Sequence, residues 1–510
     1  MILTNAVGFM NIQTATSEKS RISLILWGSI TLFCLIEVFL PPFCIWNFRE
    51  DLLEQIMIGR EWVLTSNKHP ALTTWIAQIF WVGTNHSDYA LYLASAVCVF
   101  LSFFAIWRLG REFLSPEKNL FATLAMMAFW YFNIGATRFN NNITLMPCWL
   151  WAIYFFYFAL KSGKISWWVL TGLMLGIGLN CKYTCILLCF AMVIYLVLER
   201  DVRRFWKTPG PWLTVGTAAL VFLPHMLAVL GNWDVMYAYI TNKKTGTEGL
   251  FFLRLLTGWL TQLGVISAVI MALFPLFRLP MKREKIEQTD VYPFRKTFLA
   301  GMFFLPMLVL IGFQFYTHVA FANRSYGFHL WGLTGLYLLT TFQTTEVRWH
   351  WKLSALWIVL LTFAQLVSLP VLCWNLHYYS HEQGERFYPG KALAAEADQV
   401  WSENFPGASC PFTTALRSDV LAWNVAVYSR FQPRVITPIG NWASDEDLNR
   451  KGGIILWEKT DRDPLNDVIP EVKERFPNAV FKKDLSLKFQ QKNPQVPPLE
   501  VGVAVVAPHE

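Results

Sequence analysis

The run ISLILWGSITLFCLIEVFL, residues 22–40, stops at Pro41-Pro42 and gives way to the charged stretch FREDLLEQ at residues 48–55. A helix needs about 20 apolar residues, at about 1.5 Å each, to cross the roughly 30 Å hydrocarbon core of a bilayer. Residues 22–40 meet that length, and no small-residue cleavage site follows them. The run therefore reads as an uncleaved spanning helix rather than a signal peptide. Two successive prolines end it, which places the charged stretch that follows at the membrane surface.

The same pattern recurs along the chain. Further apolar runs occupy 88–107, 119–136, 142–160, 166–180, 182–198, 212–231, 253–277, 297–315, 327–343 and 352–374, about eleven spans in all. The run 71–83 is shorter and reads as a helix lying at the interface. Only 15% of the 510 residues are charged, against about a quarter in soluble domains, which points to lipid as the solvent, and the repeated long apolar runs argue against an aromatic-rich soluble enzyme. The net charge of +8 does not imply nucleic acid, because basic residues in a membrane protein mark cytoplasmic loops. With residues 1–21 inside, the inner loops carry Arg108, Arg111 and Lys118, Lys161 and Lys164, Arg200 to Lys207, Arg278 to Lys296, and Arg348 with Lys352. The alternate loops are poorer, holding Arg138, Lys182, Lys243, Lys244 and Arg324. An odd number of spans leaves the C-terminus outside.

These runs define a transmembrane helical domain over 22–376, with one long outer loop at 41–87. Beyond it, residues 385–510 are charged, rich in Pro and Gly, and without a spanning run. Strand signals at Gly453–Trp457 and Val501–Val506, and an amphipathic helix over Ala392–Glu403, predict a small α/β domain outside the cytoplasm. The expected fold is mainly α, polytopic, with this α/β appendage. The nine cysteines lie mostly in apolar runs, and Cys181 and Cys185 lack the spacing and companion His of a zinc site. No metal and no cofactor is expected.

Chemistry concentrates in loop 41–87, where Glu50-Asp51, Arg60-Glu61 and Asn67-Lys68-His69-Pro70-Ala71 follow one another. Ionisable groups at membrane depth are costly and often functional. The plainer reading is an amphipathic surface helix with solvated charges, in which Arg60 and Glu61 pair with each other. Similarly, Arg138 at a span end has a snorkelling role open to it, and Lys182 reads either as cavity lining or as a polar kink.

The order of these residues resembles the first outer loop of GT-C glycosyltransferases, in the branch of protein O-mannosyltransferases and lipid A aminoarabinose transferases. The stretch from Tyr89 to Gly110, ending in RLGREF at 108–113, resembles that family's second span and its basic cytoplasmic edge, and 137–145, TRFNNNITL, its second outer loop. The resemblance covers roughly residues 20–200. It implies transfer of a sugar from a polyprenyl-phosphate donor to a glycolipid or glycan acceptor, with no nucleic acid involved, at the periplasmic face of a bacterial inner membrane. It implies Asp51 as catalytic base, with Glu50 as its rival, since the family commonly has Asp then Glu and here Glu50 precedes. It also implies Lys68 at the donor phosphate, with His69 and Arg324 beside it. Arg60, Arg138, Asn140, Asn141 and Lys182 are candidates for the substrate cavity. Where the family often places an acid at the start of its fourth span, this chain has Asn140, Asn141 and Asn142, and amides do not act as bases.

Two other classes compete. A transporter or flippase would place charged or broken helices at mid-bilayer, often in two related halves, whereas these charges sit at span ends and no repeat is visible. A protein O-glycosyltransferase would share the loop and differ only in acceptor.

Overall fold

The computed structural model describes residues 2–66, 68–231, 250–278, 281, 292–318, 320, 327, 329–440, 442–459 and 468–508, with side chains from residue 20 onward. Arg324, Lys243 and Lys244 lie outside the described residues. The chain forms two compact units, Met1–Phe39 with Tyr92–Val367, and Leu40–Leu91 with Ser368–Glu510.

Among the described residues, seven helices are long and apolar enough to cross a membrane: Ser20–Cys44, Ala90–Gly110, Asn141–Ser162, Pro209–Leu230, Phe251–Leu276, Arg295–Thr317 and Arg348–Tyr378. The chain is a mainly helical, multi-pass membrane protein. The expected count of about eleven separates into these seven and four shorter or broken pieces. Residues 119–136 fall in a pair of helical segments, Pro116–Ala128 and Trp130–Thr137, bent by 72°. The bend lies at Phe129, whose backbone is extended. Ile165–Cys181 and Tyr183–Leu198 are shorter apolar helices. They part at Lys182, also extended. Seventeen residues reach only about 26 Å, short of the hydrocarbon core. Within 327–343 the described helix is Thr334–Thr341.

In the first unit, close helix packing follows from small residues. Gly172 and Gly176 lie four apart on Ile165–Cys181 and face Pro209–Leu230. A Cβ at Gly172 would stand 2.4 Å from the Thr214 carbonyl oxygen, and one at Gly176 2.7 Å from Val221 Cβ. This is the small-xxx-small packing by which helices associate where lipid removes the hydrophobic drive. Buried polar groups find partners across helices. Gln262 Oε1 accepts from Tyr131 Oη at 3.0 Å and from Trp331 Nε1 at 3.1 Å, and His225 meets Tyr183 Oη at 2.8 Å.

In the second unit, the tail builds a sheet ordered β2-β1-β3-β6-β4, with β5 also on β6. Its strands are β1 (Phe412–Leu416), β2 (Arg434–Ile436), β3 (Gly453–Glu458), β4 (Val480–Phe481), β5 (Leu485–Leu487) and β6 (Leu499–Val506). β1 runs parallel to β2 and β3, and β6 is antiparallel to β3, β4 and β5. The sheet is covered on both faces, and the period of two divides its residues. Ile454, Leu456, Val501, Val503 and Val505 pack with Leu393, Ala397 and Trp401 of the Gly390–Asn404 helix. Ile455, Trp457, Ala504 and Val506 pack on the other face with Leu448, Val472 and Phe476. Gly502 stands opposite Trp457 in the register. A Cβ at Gly502 would lie 2.0 Å from the indole, so that position has no room for a side chain.

Trp401 is fully buried and donates through Nε1 to the Ala408 carbonyl at 3.0 Å. Trp401→Ala is expected to destabilise this unit by about 3–5 kcal/mol. The check is a lowered denaturant midpoint and faster proteolysis of the tail in the full-length protein.

Candidate functional site

The Glu50–Arg60 helix starts from Arg49 in extended backbone and carries Glu50 and Asp51 in its first turn, where the helix dipole favours carboxylates. Its apolar residues Leu52, Leu53, Ile56 and Met57 are buried, which anchors it. Glu54 is buried as well. It lies four residues after Glu50 and three after Asp51, on one helical face with both.

The chain then reverses. Thr65 and Pro70 form an isolated antiparallel bridge. Ser66 Oγ donates to the His69 carbonyl at 3.1 Å and accepts from the His69 amide at 3.2 Å. Lys68 sits in this turn, and its ammonium meets Glu54 Oε1 at 3.0 Å. His69 thus closes the turn through its backbone. The next helix, Leu72–Gly83, crosses the first closely at Gly59, where a Cβ would stand 2.2 Å from the Thr74 carbonyl oxygen.

Electrostatics centre on Lys68. Burial raises the Glu54 carboxyl above its ordinary range, and Lys68 opposes that rise by charge and hydrogen bond, while Asp51 and Glu50 add to it. Glu50 is raised by partial burial, pulled down by Lys68, and raised again by Asp51, Glu385 and Asp419. Asp419 is likewise raised by burial and lowered by Lys68. One ammonium therefore acts on three carboxyls.

Two of these residues, Glu54 and Asp419, are absent from the sequence-derived candidates. Glu54 had a signal, its spacing from Glu50 and Asp51 on a helix. Asp419 had none, because it is some 350 residues away and reaches Lys68 only through tertiary packing. It begins the Asp419–Tyr428 helix, which packs on Glu50–Arg60. Tyr428 Oη accepts from the Phe48 amide at 3.2 Å.

Arg60 and Glu61 do not pair with each other alone. The Arg60 guanidinium donates to the carbonyls of Ala426 at 2.8 Å and Gln432 at 3.1 Å. Glu61 receives the Arg434 guanidinium at 3.0 and 3.2 Å. Burial lowers the Arg60 guanidinium below its usual value. These contacts fasten the end of the helix to the segment that leads into β2. Arg49 binds Glu385 at 2.9 Å and fastens its start.

The remaining candidates belong to the first unit. Asn140 caps the Asn141–Ser162 helix by accepting from the Asn142 amide at 3.0 Å. Asn141 donates to the Cys181 carbonyl at 2.8 Å. Lys182 is buried and donates to Asn142 Oδ1. Arg138, half-buried, follows the last turn before Asn140. Asn141, Asn142 and Lys182 thus join two helix ends at the break already described. Arg324 lies outside the described residues.

A family model for dolichyl-phosphate-mannose-protein mannosyltransferase matches residues 68–227. No curated protein matches the sequence. Among solved structures, ArnT from Cupriavidus metallidurans bound to undecaprenyl phosphate is similar with a TM-score of 0.57 and 14% identity, over 94% of this chain and 99% of that one. ArnT in the apo state has a TM-score of 0.53 at 14% identity over the same shares. Identity this low speaks to fold, and the fold is shared from end to end. The chain thus shares the fold of ArnT, a GT-C glycosyltransferase, along almost its whole length, and the mannosyltransferase family model matches it across residues 68–227.

Proposed function

We propose that the protein is an inverting glycosyltransferase that moves a sugar from a polyprenyl-phosphate donor to a hydroxyl of lipid A, lipopolysaccharide core or another envelope glycan. The reaction takes place at the periplasmic face of a bacterial inner membrane. The observation that carries this reading is the Lys68–Glu54 pair one helical turn from Asp51. Supporting it are the superfamily fold and the undecaprenyl phosphate held by ArnT, the structurally similar protein.

The reaction needs two opposite charges. The acceptor oxygen attacks the anomeric carbon as its proton passes to a carboxylate, and Asp51 serves as that base. Glu50, more exposed and raised by partial burial, is the second choice. The bond from the anomeric carbon to the phosphate oxygen breaks, and the polyprenyl phosphate leaves with the electron pair. A cation at headgroup height stabilises that developing charge, and Lys68 supplies it. Arg324 is the proposed second phosphate contact. Glu54 keeps the ammonium in place between turnovers, a positioning role.

Asp51→Asn and Lys68→Ala are each expected to lower transfer at least about 100-fold while the protein still reaches the membrane. Mass spectrometry of envelope glycolipids would then show one sugar missing from an otherwise complete acceptor. Normal glycolipids in both variants would remove this assignment. A reporter fused after residue 376 checks that the tail is outside.

The Glu54 carboxyl also predicts a pH dependence. Because folding raises its pKa, the folded state holds the proton longer than the unfolded chain, so stability falls as pH rises through the window between the two values. Lys68→Met removes the opposing charge and widens that window upward. Its melting temperature is expected to fall more than wild type as pH is raised from the ordinary glutamate range through neutrality. Adding Glu54→Gln is expected to abolish the extra loss, which thermal scans across pH will read.

A further inference from the structure

In the second unit, the ends of the first and last spanning helices, Ser20–Cys44 and Arg348–Tyr378, wall a cleft of about 640 Å³. That volume falls within the range of small-molecule sites, about 300–1,000 Å³. Phe43, Trp46 and Trp374 line it and are 76%, 55% and 60% exposed. Phe387 and Phe489 also line it, and its polar side is His377 with residues 490–492. An interfacial aromatic belt alone would account for exposed rings at helix ends. It would not account for a concavity with a cation fixed inside it.

The cation is Lys492, and its backbone is held from several directions. The Gln490 amide donates to the Phe387 carbonyl at 2.9 Å, and the Lys492 amide to the His377 carbonyl at 3.0 Å. Gln491 spends its side chain on the same frame, donating to the Leu376 carbonyl at 2.9 Å and accepting from the Gly384 amide at 3.0 Å. The Lys492 ammonium lies 5.4 Å from the Tyr378 ring and 3.4 Å from its hydroxyl, and makes no ion pair among the described residues. Beside it, His377 Nδ1 is buried without a hydrogen-bond partner. The cleft thus offers an uncompensated positive charge at the ends of two spanning helices, with the His377 side chain in its wall. Apolar surface at Phe43, Val371 and Trp374, all exposed, runs back along the spanning helices.

We propose that this cleft binds the headgroup of an anionic glycerophospholipid, with the phosphate against Lys492 and His377 and the acyl chains along the exposed faces of the two helices. The commitment to a bilayer lipid rests on where the cleft lies, at the ends of two membrane-crossing helices. The commitment to an anionic lipid rests on Lys492 having no counter-charge. Ligand recognition here is independent of the reaction proposed at Asp51.

The test uses the full-length protein in detergent, titrated with phosphatidylglycerol or phosphatidylcholine and followed by native mass spectrometry and thermal unfolding. Wild type is expected to retain one phosphatidylglycerol preferentially and to melt higher with it. Lys492→Glu is expected to weaken retention at least about fivefold, and Lys492→Gln, which keeps the stem, to show the same trend. Lys473→Glu, a surface lysine outside the cleft, is expected to bind as wild type. Equal retention of both lipids by wild type, or unchanged phosphatidylglycerol retention in both Lys492 variants, would overturn the proposal.

Discussion

Hydrocarbon offers the peptide backbone nothing to bond with, and this one constraint organises the chain. Each polar main-chain group inside the bilayer must be paired within its own segment, so the apolar runs have to be helices. Most charges are then driven to helix ends, where Arg, Lys, Asp and Glu gather in short loops. Helices without a hydrophobic drive to associate must instead approach closely. Gly172 and Gly176 do this against Thr214 and Val221. Polar side chains at helix breaks find each other, as Asn141, Asn142 and Lys182 do.

The same constraint makes loop 41–87 chemically dense. Its first helix buries an apolar stripe and with it one carboxylate, Glu54. A buried carboxylate needs a partner, and Lys68 provides one from the following turn. The proposed phosphate ligand is therefore oriented by a residue that is itself held by packing, the arrangement in which a site is pre-organised before substrate arrives. Arg49, Arg60 and Glu61 pin both ends of that helix to residues of the tail, through Glu385, the Ala426 carbonyl and Arg434. In the second unit, the α/β sheet thus supports the loop, and its Asp419–Tyr428 helix brings a further acid to Lys68.

Among the described residues, helix breaks set three of the expected runs apart from the seven long helices. A hydropathy run reports that a segment is apolar, whereas Phe129 and Lys182 show extended backbone inside or between such runs. The broken segments surround polar residues, including Tyr131 on Gln262 and Lys182 on Asn142. Tertiary partners stabilise a backbone break there, and no local pattern announces it.

By itself the sequence determined the class of molecule. Period and length made the helices, short apolar runs made β3 and β6, and the charges of loop 41–87 stood out beside long apolar runs, with Asp51 and Lys68 singled out among them by the family resemblance. Glu54 was also within reach, since residues three and four apart share a helical face. What only the tertiary structure decided was partnership. Arg60 reads as a charge in a loop until it is seen donating to carbonyls near residue 430, and Asp419 reads as an ordinary acid until its helix packs on Glu50–Arg60. Contacts between residues hundreds of positions apart depend on how surfaces fit in three dimensions, and local propensity carries no record of that fit.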